Sequence, residues 1–215
     1  MNARLIGWGL FVGFLATLAY ISHFTGGQPA KDTAFRWESS ISGLIAYAIF
    51  FGVVMLLTRG LERRSFLALR RPTSWGLATR ISILVIVAVA LISAAVAPFG
   101  SPGEEQGLIP ERFDSHRIAQ FAAFAAIVVL VGPIVEELTF RGVGYGLLER
   151  FGRTTAIVLV GLAFGLIHGL VAGFPVIVTF GIGLAYLRSR TGSIYPCILL
   201  HAGFNAFGLA LGVAS

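Results

Sequence analysis

Charge is what this sequence has least of. Acidic and basic side chains make up 12% of its 215 residues, about half the share of an ordinary soluble domain. With a mean hydropathy of +0.86, that excludes a water-facing globule and implies an integral membrane protein. Cysteine occurs once, at Cys197, so neither an internal disulfide framework nor a multi-cysteine metal site is available. The only aspartates, Asp32 and Asp114, fall between apolar runs, which excludes an intramembrane pair of catalytic aspartates. No H-E-x-x-H segment, internal repeat or low-complexity stretch is present. Of the 16 basic residues only Lys31 is a lysine, and the formal net charge of +6 is unevenly spread. That pattern speaks to membrane topology and not to a nucleic-acid partner.

What the sequence does have is apolar runs close to the roughly 20 residues that cross a bilayer core. They lie at about 5–24, 41–57, 77–97, 116–149, 154–171, 174–187 and 194–213. The first follows Arg4 and is not closed by a small-residue cleavage site, so it reads as a retained span and not a signal peptide. The expectation is an all-α, polytopic transmembrane helix bundle of about seven spans, or eight if residues 98–115 hold a further short helix. Two parts suggest themselves: 1–115 with the first three spans and 116–215 with the last four. Arg59, Arg63, Arg64, Arg70 and Arg71, then Arg150 and Arg153, then Arg188 and Arg190 all fall on one side of this alternating path. The positive-inside rule makes that side, and the N-terminus, cytoplasmic. The acidic loop with Glu104, Glu105, Glu111 and Asp114 then faces outward. A compact, arginine-rich chain of this kind suits a prokaryotic plasma membrane, with the lipid bilayer as its surroundings. A kink is expected at Gly132-Pro133.

Inside this apolar frame four polar features stand out: Glu136 and Glu137 with Arg141, His168, and His201 with Asn205. Ionised groups at such depth cost several kcal/mol unless paired or wetted. Counted at about 1.5 Å per residue, Glu136 lies roughly 21 Å above Arg150 and His168 roughly 22 Å above Arg153. His201 and Asn205 lie roughly 16 and 22 Å above Arg190. Polar groups of three spans therefore reach one depth. Glu137 and Arg141 are i,i+4 and form an ion pair on one helix face; Glu136, about 100° away, is left for other work. His201 and Asn205 also share a face. Gly161, Gly165 and Gly169 make a small-residue stripe for close helix approach, and His168, seven residues past Gly161, is expected to point into that contact. Singly, each feature has a plainer reading: a structural clamp for Glu137–Arg141, a packing histidine for His168, interhelical hydrogen bonding for His201 and Asn205. His23 and His116 sit at span ends and read as interfacial. Cys197 is i−4 to His201 and could share its face, although packing is the simpler role; Ser193 reads as a helix N-cap.

Taken together, the set is equipment for adding water to an amide bond. A carboxylate beside an imidazole deprotonates water, and further donors stabilise the oxyanion. The assignment is Glu136 as base, His168 as its partner holding the water, His201 and Asn205 as the oxyanion site, and Glu137 with Arg141 holding the helix in register. No cofactor is then required. The alternative is a divalent metal such as zinc on Glu136, His168 and His201.

The ordered motifs Glu136-Glu137-Leu-Thr-Phe-Arg141, Phe164-Gly-Leu-Ile-His168 and His201-Ala-Gly-Phe-Asn205 resemble those of the CPBP family, the CAAX-protease and bacteriocin-processing (Abi) group. Arg141-Gly142 and the stretch 191–205 are similar to it as well, and the resemblance covers about 120–208. It implies an all-helical intramembrane endopeptidase whose first glutamate is the key base, acting on a peptide or a prenylated protein. Eukaryotic members cut after a prenylated C-a-a-X cysteine, a specificity that does not transfer to prokaryotic relatives. Two other functions stay open. One is a non-catalytic role as a membrane scaffold or in bacteriocin self-immunity. The other is proton transport, against which stands the lack of a visible inverted repeat.

Overall fold

The computed structural model describes residues 2–26, 32–100, 105 and 113–214. Among these every regular element is helical and none is a strand. The helices are α1 (Asn2–Thr25), α2 (Trp37–Leu57), the single turn α3 (Arg63–Phe66), α4 (Trp75–Val96), α5 (Ser115–Phe151), α6 (Arg153–Leu166), α7 (Phe174–Thr191) and α8 (Tyr195–Ala214). Five of them, α1, α2, α4, α5 and α8, are long and apolar enough to cross a membrane. With the shorter α6 and α7, all seven expected runs are helical, and the chain is a multi-pass membrane protein. An extra α turn, α3, is in the Arg-rich loop, where Glu62 caps it by accepting the Arg64 and Ser65 N–H groups at 3.3 and 2.6 Å. The helix left open within 98–115, together with Glu104 and Glu111, lies mostly outside the described residues.

Glycines decide how the C-terminal helices meet. A Cβ on Gly161 of α6 would stand 2.7 Å from the Ile182 nitrogen of α7, and one on Gly181 would stand 2.8 Å from the Gly161 carbonyl oxygen. On the opposite face of α7, a Cβ on Gly183 would stand 2.6 Å from a methyl carbon of Val85 of α4. Helix α7 is thus pressed between α6 and α4 at backbone distance, the packing that small residues allow in lipid. The stripe does not run on as a straight helix would carry it. Helix α6 ends at Leu166, and Gly169, at φ +63°, turns the chain towards Ala19 of α1. Residue 171, expected in the span, is therefore outside the helix, and His168 does not enter the Gly161 contact.

The two ends of the bundle differ in charge. At one end Arg4 bonds the Arg59 carbonyl, Arg150 bonds Asn2, Arg70 bonds the Gly192 carbonyl and Arg153 bonds the Ser189 carbonyl. At the other, Arg117 pairs with Asp32 at 2.9 Å and Asp114 at 2.7 Å, and Glu105 accepts from the N–H groups of Val171, Ala172 and Gly173. The arginine clusters expected on one side are gathered there.

Helix α5 is interrupted where the sequence places Gly132-Pro133. Proline brings no N–H and cannot complete an ordinary turn. The backbone responds with π turns over Ile127–Val131 and Leu138–Gly144, flanking an α segment at Gly132–Glu137; the Gly132 N–H reaches the Ile127 carbonyl, five residues back. Single π turns inside helices often accompany functional sites, and here the α segment between them carries both glutamates. Trp8 of α1 braces this region, its indole N–H donating to the Thr139 carbonyl at 3.0 Å.

Candidate active site

Glu137 points into the protein. It is fully buried, and its Oε1 accepts from Arg141 Nη1 at 2.8 Å and from His201 Nδ1 at 2.9 Å. Arg141, also fully buried, passes a second N–H to the Gly181 carbonyl at 2.8 Å, and its guanidinium lies over the Phe164 ring at 4.4 Å. Three helices, α5, α7 and α8, are joined through one carboxylate and one guanidinium. Since a carboxylate only accepts, Nδ1 of His201 carries the donated proton, and the ring is fixed with Nε2 on the far side.

Glu136 points the other way. Its Oε1 accepts from the Tyr47 hydroxyl at 2.7 Å, while Oε2 has no hydrogen-bond partner among the described residues and lies 3.8 Å from His201 Nε2. Glu136 borders a cavity of about 840 Å³ lined also by Tyr47, His168, His201 and Asn205 and otherwise mainly by aromatic and aliphatic side chains, among them Phe50, Phe124, Phe164, Phe180 and Phe204. The six motif residues therefore divide: Glu136, His168, His201 and Asn205 meet at one cavity, and Glu137 with Arg141 forms the support behind it.

Two details go beyond the expected roles. The imidazole at ion-pair distance from Glu136 is that of His201; His168 places its Nδ1 on the Phe164 carbonyl at 2.7 Å. A carbonyl accepts only, so this bond puts the proton on Nδ1 and leaves Nε2 of His168 as a proton acceptor. Asn205, expected with His201 at the oxyanion site, gives one amide N–H to the Val128 carbonyl at 2.8 Å in the first π turn of α5, which leaves the other N–H. The physical reason is the same in both cases. Backbone carbonyls exposed by a helix end and by a π turn take the nearest donors.

Two participants were not legible as such. Tyr47 is one more aromatic in the apolar α2 run, and nothing in its local sequence marks it. Phe164 was visible as the first residue of its motif but had no role. Its ring stands 4.7 Å from His168, 5.6 Å from His201 and 5.4 Å from Phe140, besides carrying Arg141. Cys197 is buried with its thiol on the Leu184 carbonyl, and Ser193 bonds the Arg70 carbonyl; neither borders the cavity.

A metal on Glu136, His168 and His201 would need three donors converging at about 2 Å. Among the described residues no three His, Cys, Asp or Glu side chains come together as an ion would require. The donor set in this geometry does not fit a zinc ion.

Residues 118–207 match a family described as type II CAAX prenyl endopeptidase, Rce1-like. Over these residues the chain is similar to the CPBP family. The Rce1-like segment holds all six motif residues, and Tyr47 lies outside it. The chain is 30% identical over 182 residues to YyaK of Bacillus subtilis (strain 168), described as uncharacterized, covering 76% of this chain and 58% of YyaK. It is 24% identical over 193 residues to YdiL of the same organism, whose name makes it a candidate membrane peptidase, covering 86% of this chain and 76% of YdiL. The chain thus spans little more than half the length of YyaK. No solved structure matches it.

Proposed function

We propose that this protein is an intramembrane endopeptidase in which Glu136 activates water for attack on a peptide bond. The observation that carries the reading is the asymmetry of one carboxylate: Oε1 is held by Tyr47, and Oε2 is unpartnered beside an imidazole at the wall of a large cavity. Water held between Oε2 and the ring nitrogens loses a proton to Glu136 as its oxygen attacks the carbonyl carbon. The second N–H of Asn205 donates to the carbonyl oxygen as it gains charge; His201, whose Nδ1–H is spent on Glu137, acts as a donor there only with a second proton on Nε2. Glu136 then returns the proton to the departing amine, the C–N bond breaks, and acid and amine products leave. His168, with its acceptor nitrogen, orients the water. No cofactor enters these steps.

The aromatic lining suits a peptide with apolar side chains or a prenylated protein. The arginine-rich end supports a cytoplasmic N-terminus in a plasma membrane. A second reading is a non-catalytic scaffold or immunity protein, favoured by the Glu137–Arg141–His201 cluster, which by itself resembles a structural clamp.

The test is cleavage of a quenched library of farnesylated C-a-a-X peptides by detergent-solubilised protein, wild type against Glu136→Gln, each with and without a strong chelator. The expected result is loss of activity by about 10³-fold or more in the mutant and none with chelator. Equal rates in the two proteins would overturn Glu136 as base. Loss with chelator and recovery with Zn²⁺ would replace the metal-free route.

A further inference from the structure

Tyr47 belongs to α2, outside the family-matching segment, yet among the described residues it makes the one side-chain hydrogen bond of Glu136, at 2.7 Å. Its approach depends on a second residue. A Cβ on Gly132, one turn before Glu136, would stand 2.6 Å from the Tyr47 hydroxyl oxygen and 2.9 Å from the ring carbon that bears it. The missing side chain is the notch through which the hydroxyl reaches the carboxylate. The Tyr47 ring is further fixed against Phe50, 5.9 Å away at 67°.

We propose that Tyr47 is a positioning residue: its hydroxyl, admitted by Gly132, pins Oε1 of Glu136 so that Oε2 is held on the His201 side, 3.8 Å from Nε2. A glutamate has three side-chain torsions, and without a donor on one oxygen it presents either oxygen in several orientations. Holding a reacting group in one near-attack orientation is worth large rate factors, and a 1 Å misplacement costs about 10²-fold. The inference rests on Glu136 being the base, and it makes the N-terminal helices part of the working site.

Two measurements separate it from that parent reading. The first needs no substrate. In lipid nanodiscs, the infrared carboxylate band that disappears in Glu136→Gln belongs to Glu136. Tyr47→Phe, which keeps the ring and removes the hydroxyl, is expected to shift that band, and Gly132→Ala, which displaces the hydroxyl, to shift it the same way. A band unmoved by Tyr47→Phe overturns the bond. The second is kinetic, on the farnesylated peptides. Tyr47→Phe is expected to lower kcat about 10- to 100-fold with KM changed less than about twofold. The double variant with Gly132→Ala should fall within about twofold of Tyr47→Phe alone, since both remove one interaction. Unchanged kcat in Tyr47→Phe, with Glu136→Gln inactive, overturns the positioning role and leaves the base intact. If wild type cleaves none of the peptides, the parent reading fails for that substrate class, and the band shift still decides the contact.

Discussion

Glu136 and Glu137 are neighbours in sequence, and their surroundings are opposites. The Glu137 side is closed: carboxylate, guanidinium and imidazole are buried, bonded to each other and to a backbone carbonyl of α7. The Glu136 side opens on a cavity; Oε2 of each glutamate lacks a hydrogen-bond partner among the described residues, but only Glu136 lines the cavity. About 100° of helix rotation separates a charge used to hold three helices together from a charge left available. The closed side fixes His201 by Nδ1, so the ring reaches the open side with Nε2 in a set place. One carboxylate orients the imidazole that stands beside the other.

The strongest way to break this comparison is to remove Arg141. Arg141→Met leaves Glu137 as an uncompensated buried charge, a loss of about 3–5 kcal/mol. The expected outcome is little folded protein in detergent, or an unfolding midpoint lowered by roughly 10 °C or more. Glu136→Gln, on the open side, is expected to leave that midpoint within about 2 °C while abolishing cleavage. Similar midpoints for the two variants would mean that the sides are not distinct. Gly181→Ala acts on the anchor of the closed side without touching a charge. Its Cβ would meet the Gly161 carbonyl oxygen at 2.8 Å and Phe164 at 3.1 Å, overpacking expected to cost about 1–3 kcal/mol, read as a lower midpoint.

Asn205→Ala sharpens the open side. It removes a single bond to the Val128 carbonyl, so about 1 kcal/mol of stability goes, whereas kcat on the farnesylated peptides should drop about 100-fold if the other N–H serves the oxyanion. A fall in stability with kcat unchanged would make it purely structural. The smallest effect lies away from both sides, at the Asp32–Arg117–Asp114 cluster. The Arg117 hydrogen bonds hold both carboxyls below their ordinary value of 3.8. Depressed carboxyls stabilise the folded form above that value and lose this as pH falls through the lowered pKa. Acidification from pH 5 to pH 3 should therefore cost a further ~2 °C or less in midpoint at this exposed tie. That increment should be missing in Arg117→Gln.

Much of the fold was legible because lipid imposes simple rules on sequence. The run at 77–97 became a helix at Trp75–Val96, and the run at 174–187 one at Phe174–Thr191, because the bilayer leaves few options for an apolar backbone except helix. The ion pair of Glu137 and Arg141 followed from i,i+4 spacing alone. The family segment was legible from three short motifs. What failed was extrapolating α6 as a straight helix to His168, since backbone turning at Gly169 is a tertiary choice made against Ala19 of α1. The partner of Glu136 failed for a related reason: hydropathy ranks Tyr47 with its neighbours and cannot show that a notch at Gly132, far along the chain, admits its hydroxyl.

The sequence by itself determined that this is a helical membrane protein with a few polar groups at one depth, because charge buried in hydrocarbon is costly enough to be conspicuous. Only the tertiary structure decided which imidazole stands beside Glu136, which hydroxyl holds its Oε1 and which backbone carbonyls take the Arg141 and Asn205 donors. Those choices depend on where a phenol and two backbone carbonyls from other helices come within about 3 Å, and spacing along one helix carries no information about them.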